Sequence, residues 1–504
     1  MAAVNRLAAF HDSTREPTVP HLDGVELHDA SAVAARHLLR SAGVDAAVAV
    51  GDFFTFQPNG SYDAVIGNPP YVRYQDFSGE SRARSREAAL RAGVPLTGLA
   101  SSWSAFAVHA ALFLKKGGRL GLVLPAELLT VNYAAEVRRF LMERFAQVDL
   151  VLFEERVFPG VLEEVVLLLA DGYDEGPTDH CRIYQARNSA DLSQLSVPRL
   201  WKPETPDAKW TGSLLSSEAL AAYSDLFRSD DFTTLETWGD TTLGMVSGNN
   251  RYFALSPARV RELRLRPTEL IRLSPPGSRH LRGLSFTETA RTALGEDGSA
   301  TWLFRPPEQP SKAAQRYIAA GGALGVNRAY KCRVRTPWWR VPLVPPADLL
   351  LTYMNADTPR LTTNRAKAFH LNSVHGVYLT PGLRALGRDL LPLASLNSMT
   401  LLGAETVGRA YGGGMLKIEP KEADRLPVPS PSLLESTRKE LSSQRGKISR
   451  LLARGKLMDA VRIVDEVLLS GHLGISNADI SALRDGHASL MARRVARGVS
   501  MKEV

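Results

Sequence analysis

Four consecutive residues, Asn68, Pro69, Pro70 and Tyr71, follow the short apolar run YDAVIG at 62–67. A residue that precedes proline is driven out of the helical region, so Asn68 and Pro69 must both be extended and the chain stiffens just past the strand. The prolines carry no N–H, which leaves the carbonyls here as uncontested acceptors. The Asn68 side-chain carbonyl and the Pro69 main-chain carbonyl can converge on one NH2 group, and Tyr71 offers a flat face to a planar ring. This set suits methylation of an exocyclic amine conjugated to a ring. Such a nitrogen is a poor nucleophile because its lone pair is delocalised. Two acceptors holding both hydrogens favour a pyramidal nitrogen and aim its lone pair at an electrophilic methyl, with no strong base required. The simpler reading is a stiff turn leaving a strand, with Tyr71 as its cover.

The elements that must hold this motif alternate as in a parallel α/β sheet. HLDGVEL (21–27) reads as a strand, followed by an Ala-rich helix closed by Gly43, then strands at AAVAVGDFF (46–54) and YDAVIG. A helix over 103–118 is expected to stop at a Gly pair and feed the strand RLGLVLP (119–125). A helix over 133–146 and strands VDLVLFEE (148–155) and EEVVLLLADGY (163–173) come next. The last two strands are joined by RVFPGVL, too short for a crossover helix, so they are expected to pair antiparallel at the sheet edge. In open α/β sheets ligands bind outside the carboxyl ends of the strands, which is where Asn68 falls. From about residue 174 the alternation is lost, and Pro, Arg and Trp become common. The expected organisation is a catalytic domain at 1–175, a connector at 176–230, a mixed domain at 231–430 and a charged helical region at 431–504. No internal repeat or low-complexity tract interrupts it.

With 504 residues, 44% hydrophobic and 23% charged, the chain is expected to be globular with several domains and not disordered. Its 61 Lys+Arg against 53 Asp+Glu give a net charge of +8, which favours a polyanionic partner. Cys181 and Cys332 are the only cysteines and form no CxxC pair, so neither a disulfide framework nor a zinc cluster is expected. Apolar runs such as VVLLLA (165–170) are strand-sized, and no signal-peptide core opens the chain. A cytoplasmic protein with no membrane association is expected.

The ordered set GVEL…GDFF…YDAVIGNPPYVRY resembles gamma-class N6-adenine DNA methyltransferases of restriction–modification and phage-defence systems. The resemblance implies a Rossmann-like sheet using S-adenosyl-L-methionine, a target-recognition domain, double-stranded DNA as substrate and an adenine flipped out of the duplex. It assigns Asn68 and Pro69 to the amine and Tyr71 to stacking on the base, with Pro70 part of the same catalytic motif. RVFPGVLEEVVLLL resembles the segment whose aromatic residue covers the other face, and Phe158 is the candidate there, with a core edge-strand role as the alternative. Glu26 can accept both ribose hydroxyls, Asp52 can accept from the adenine amine, and Phe53 can pack on the adenine ring, with Asn68 beside them. Alone, either acid is more often a helix cap or a solvated loop charge, and together with the NPPY motif at successive strand ends they favour the cofactor. The family's DPACGSG-like loop has no counterpart, since no GxG precedes residue 21, so an N-terminally incomplete sheet and weak cofactor binding by this chain alone are expected.

TTLGMVSGNNRYFAL (241–255) resembles the opening of the family's recognition domain. RAYKCRVRTPWWRVP (328–342) supplies Arg328, Lys331, Arg333, Arg335 and Arg340 without an acid, interleaved with Tyr330, Trp338 and Trp339. Cations for phosphates and aromatics for stacking make it the candidate DNA surface, against a surface strand with its tryptophans in the core. Gly412–Gly414 with Lys417 can admit a phosphate to the backbone or can form a tight turn. A restriction endonuclease or defence-system subunit is the partner the resemblance implies. The alternatives are an inactive or split DNA-binding subunit, or the same chemistry on RNA or on a protein glutamine.

Overall fold

The computed structural model describes residues 21–499 except 45, 73, 75, 154–156, 158–163 and 196. The chain divides into two compact units, 1–213 and 214–504. In the first, β1 (Leu22–Glu26) leads into α1 (Asp29–Ser41), which ends where Gly43 takes φ +70°, and β2 (Ala46–Val50) returns parallel to β1. β3 (Tyr62–Gly67) carries the motif at its carboxyl end. Then follow α2 (Gly79–Arg91), α3 (Ser102–Ala111), β4 (Leu114–Pro125), α4 (Ala135–Arg144), β5 (Phe145–Phe153), β6 (Val165–Tyr173), β7 (Cys181–Ala186) and β8 (Arg199–Trp201). Six of these strands form one sheet in the order β3-β4-β6-β5-β7-β8, with β3 parallel to β4 and β6 antiparallel to both β4 and β5. Val148, Leu150, Val166 and Leu168 are fully buried in its centre, so this sheet is the core that holds the motif.

The expected single sheet is in two pieces. β1 and β2 pair only with each other, and among the described residues no strand lies on the second edge of β1 or of β3. Ile66 and Leu27 are accordingly exposed, at 63% and 62%. A polar link joins the pieces: the Tyr62 hydroxyl donates to Asp23 Oδ2 at 2.5 Å.

Three expectations need correction. The antiparallel pairing of β5 and β6 is present, but it is not at the sheet edge, because β7 adds parallel to β5 and β8 follows it. β5 is buried along most of its length and needs a neighbour on both sides. The segment read as a connector therefore supplies two strands, and its Trp210 is fully buried with its backbone N–H on the Leu129 carbonyl. The pair Gly117–Gly118 does not end a helix. α3 stops at Ala111, and the glycines lie inside β4, where the register against β3 shifts. A Cβ at Gly118 would stand 2.8 Å from the Lys115 carbonyl, so the bulge requires glycine there.

The second unit is mixed. β9 (Gly239–Leu243), β10 (Ser285–Phe286), β11 (Leu349–Thr352), β12 (Leu361–Asn364) and β13 (Val374–Leu379) form a sheet in the order β9-β13-β11-β12-β10. The residues read as a surface strand form instead a helical turn, α5 (Tyr330–Arg333). Beyond α6 (Ser398–Val407), the helices α7 (Arg438–Ala453), α8 (Leu457–Asp465) and α9 (Asn477–Val499) belong to the same compact unit. Buried Asp465 on α8 accepts the Ser398 N–H at 2.8 Å and its hydroxyl at 2.6 Å, and Arg484 of α9 completes the cluster at 2.7 Å. No helix among the described residues is long and apolar enough to cross a membrane.

Three histidines of this unit, His280, His370 and His487, are pulled down by burial to about 4 from an ordinary 6.5. Above 6.5 they are neutral folded or unfolded. As pH falls from 6.5 towards 4, only the unfolded chain takes up the protons, so stability is lost over that window. The urea midpoint of the chain should therefore fall steadily between pH 7 and pH 4.5. A flat profile down to the carboxylate range would show that these rings gain partners on protonation.

Candidate active site

Asn68 leaves β3 exposed to solvent, Pro69 is buried and Pro70 exposed, as the alternation of an extended segment requires. The loop is locked from the N-terminus of α3. Ser102, 2% exposed, donates its hydroxyl proton to the Pro70 carbonyl and accepts the Val72 N–H at 2.9 Å, while its own N–H reaches the Val72 carbonyl at 3.0 Å. Behind it, the Tyr133 hydroxyl bonds Glu127 and lies 3.0 Å from Ser101 Oγ, and Trp103 Nε1 donates to Glu127 at 3.3 Å. Burial and the neighbouring Glu127 carboxylate raise the Tyr133 phenol above its ordinary value, so it stays protonated as a donor. Among the described residues nothing donates to the Pro69 carbonyl. The Tyr71 ring packs against the buried cluster of Val151, Phe153, Val165 and Ala186, and its hydroxyl lies 2.8 Å from the Val123 carbonyl and 3.0 Å from Asn68 Oδ1. Phe158 lies outside the described residues.

Two acids stand at the ends of the neighbouring strands. Glu26 ends β1, paired in register with Val50 at the end of β2, and one of its oxygens accepts the His28 N–H at 3.0 Å. Asp52 follows β2, caps the Phe54 N–H at 3.1 Å and lies 3.6 Å from Arg84. The Phe53 ring is already engaged, stacked with Phe106 and Phe113 of the α3 segment at 5.1 and 5.5 Å. Its carbonyl meets Nε2 of fully buried His109 at 3.2 Å, and burial lowers that imidazole below its ordinary value, so it stays neutral. Glu26, Asp52 and Asn68 therefore share the carboxyl ends of β1, β2 and β3. No cluster of metal-ligating side chains occurs among the described residues.

Residues 207–469, more than half of the chain, match the C-terminal domain of the Type II methyltransferase M.Eco57I, and residues 38–158 match the Eco57I restriction-modification methylase. The chain belongs to the Eco57I family of restriction–modification methylases. It is 22% identical to the Type II methyltransferase M.AccI of Acinetobacter calcoaceticus, over 72% of this chain and 68% of that protein. Identity to M.XamI of Xanthomonas campestris pv. amaranthicola is 27%, over 74% of this chain and 68% of that one. The fold is shared with the Type IIL restriction-modification enzyme MmeI, solved in complex with DNA: TM-score 0.56 at 11% identity, covering 97% of this chain and 75% of that one.

In the second unit of this Eco57I-family chain, the nominated DNA-binding residues separate into two sets. Arg328, Lys331 and Arg333 are exposed around Tyr330, itself 64% exposed, with Lys331 and Arg333 at 5.6 and 5.9 Å from its ring. The others have partners within this unit. Trp338 packs on Tyr252 and Phe253, and Trp339 joins the same core. Arg335 donates to the Ser247 carbonyl and sits 5.5 Å over the Phe253 ring, and Arg340 pairs with Glu308 at 2.8 Å. Lys417 lies over the rings of Tyr353 and Tyr411 and pairs with Glu419 at 2.8 Å. Sequence reasoning passed over Ser102, Tyr133 and His109. A serine ahead of an apolar helix reads only as a cap, and a histidine on an apolar face reads as core.

Proposed function

We propose that this chain methylates the exocyclic amine of an adenine flipped out of duplex DNA. The observation that carries the reading is the pair of acceptors at the end of β3, the Asn68 amide and the Pro69 carbonyl, on a loop whose backbone Ser102 fixes. When bound, S-adenosylmethionine supplies a sulfonium-activated methyl group. Glu26 and Asp52 suit its ribose hydroxyls and adenine amine as carboxylate acceptors at strand ends, Glu26 with one oxygen on the His28 N–H and Asp52 with one on the Phe54 N–H and the other 3.6 Å from Arg84. The chain's own part in the reaction is to hold. Asn68 and Pro69 accept both amine hydrogens, the nitrogen pyramidalises, and its lone pair is directed at the methyl carbon. As the nitrogen gains positive charge these two bonds strengthen, which lowers the barrier more than it stabilises the bound adenine. The surplus proton leaves to water after transfer.

The test is incubation of the chain with unmethylated duplex and radiolabelled cofactor, followed by nucleoside analysis. N6-methyladenine in duplex DNA is the expected product. Label appearing only in RNA or in protein glutamine would sink the reading.

The exposed cations around Tyr330 are proposed as phosphate contacts. Lys331→Glu with Arg333→Glu should weaken DNA binding and reduce the slope of log K against log salt by about 2, near 0.9 for each phosphate left without its cation. The melting temperature should hardly move. Arg335→Glu should do the opposite, lowering stability because its guanidinium is packed against Cys332 and Phe253. An unchanged salt slope in the double variant would remove α5 from the DNA surface.

A further inference from the structure

The Tyr71 hydroxyl has one proton and lies within reach of the Val123 carbonyl at 2.8 Å and of Asn68 Oδ1 at 3.0 Å. A phenol can donate to only one of them. If the proton went to Asn68, the phenol oxygen and the Val123 carbonyl would face each other at 2.8 Å with no hydrogen between them. A main-chain carbonyl has no proton to give, so that arrangement is repulsive. The Asn68 end is different, because the two ends of a side-chain amide are told apart only by the network they enter. Turned over, the amide presents its NH2 to the phenol oxygen, which has lone pairs to spare. Every contact is then satisfied in one direction: the Asn68 amide donates to Tyr71, and Tyr71 donates to Val123.

We infer that Tyr71 is a positioning residue whose hydroxyl orients the Asn68 amide, holding its NH2 end towards Tyr71 and leaving Oδ1 turned out to accept from the target amine. The inference rests on the reading of Asn68 as an amine acceptor. It gives Tyr71 a task that its ring alone cannot perform, and it accounts for the ring's position against the sheet core of Val151, Phe153, Val165 and Ala186, where the Val123 carbonyl anchors the hydroxyl. An Asn68 side chain without this constraint would present its NH2 to the substrate amine in part of the population, a donor facing a donor. β4, through the Val123 carbonyl, thus decides which face of Asn68 the substrate meets.

Tyr71→Phe is the discriminating variant, since it keeps the ring and removes only the oxygen. Two measurements on the 504-residue chain test it. In the first, asparagine is labelled with nitrogen-15 and the Asn68 side-chain signals are assigned by their disappearance in Asn68→Asp. One Asn68 amide proton should exchange slowly with solvent in the wild type and rapidly in Tyr71→Phe. Identical exchange in the two proteins would overturn the inference, whether or not the chain methylates DNA. In the second, single-turnover methyl transfer to duplex DNA should fall by about tenfold or more in Tyr71→Phe. The fluorescence rise of 2-aminopurine at the target position should stay at the wild-type level, because the stacking face is intact. Full transfer by Tyr71→Phe would also overturn it. If the wild type transfers no methyl group to DNA at all, the proposed function falls while the exchange measurement still decides the orientation of Asn68.

Discussion

Asn68→Ala is expected to slow methyl transfer by about two to three orders of magnitude, the usual cost of deleting one preorganised contact to a reacting group. Asn68 is solvent-exposed and, among the described residues, its side chain bonds to Tyr71 alone, so its removal opens no cavity and the fold should be untouched. The deficit belongs in turnover. Affinity for DNA comes mainly from phosphate contacts elsewhere and should change little. Tyr71→Ala should behave differently, since it removes a ring worth about 1–3 kcal/mol of stacking per base and so weakens capture of the flipped adenine. It also empties a place against the cluster of Val151, Phe153, Val165 and Ala186, so part of its effect will be structural. The two variants therefore separate the amine grip from the base platform. If Asn68→Ala retained full methylation and merely lowered the melting temperature, the motif would be only a stiff turn.

Those parts of the molecule governed by local chemistry were legible in the sequence. Successive prolines dictate an extended chain whatever surrounds them, so the exit from β3 and the outward position of Asn68 follow from four residues. The short link between β5 and β6 forbids a crossover helix, which fixed their antiparallel pairing but not their place in the sheet. That place is set by β7, whose partner β5 lies some thirty residues earlier in the chain, in register Val148 with Cys181. No local pattern announces such a pairing. Gly117 and Gly118 were misread because a Gly pair after a helical run serves equally well as a helix stop and as a bulge. Trp338 and Trp339 were nominated for stacking because they alternate with arginines. Tyr252 and Phe253, more than eighty residues upstream, draw Trp338 inward instead. Lys417 shows the same limit for charge: its cation is shared between two tyrosine rings and Glu419, and composition does not reveal a neutralising partner.

The largest expected effect on stability lies far along the chain from the motif. Arg494 of α9 and Glu405 of α6 have side chains only 3% exposed each, joined through Nη2 at 2.8 Å and Nε at 3.1 Å. The same guanidinium donates to the carbonyls of Asp357, at 2.9 Å, and Gly414. Arg494→Ala takes the guanidinium away from a buried carboxylate and should cost about 3–5 kcal/mol, read as a fall in the urea midpoint. Pairing Arg494→Met with Glu405→Leu removes both charges, and stability should largely return, because a buried ion pair is often worth no more than a well-packed apolar substitute. The Gly412–Gly414 turn should not recover with it. Gly414 sits at φ +72° with the α9 backbone 3.0 Å from where a Cβ would be, and the Gly414 carbonyl is held by Arg494 alone among the described side chains. Amide exchange at 411–415 should therefore be faster than wild type in the single and the double variant alike. If exchange returned to the wild-type rate together with stability, packing against α9 would be holding the turn, and the arginine would serve only to neutralise Glu405.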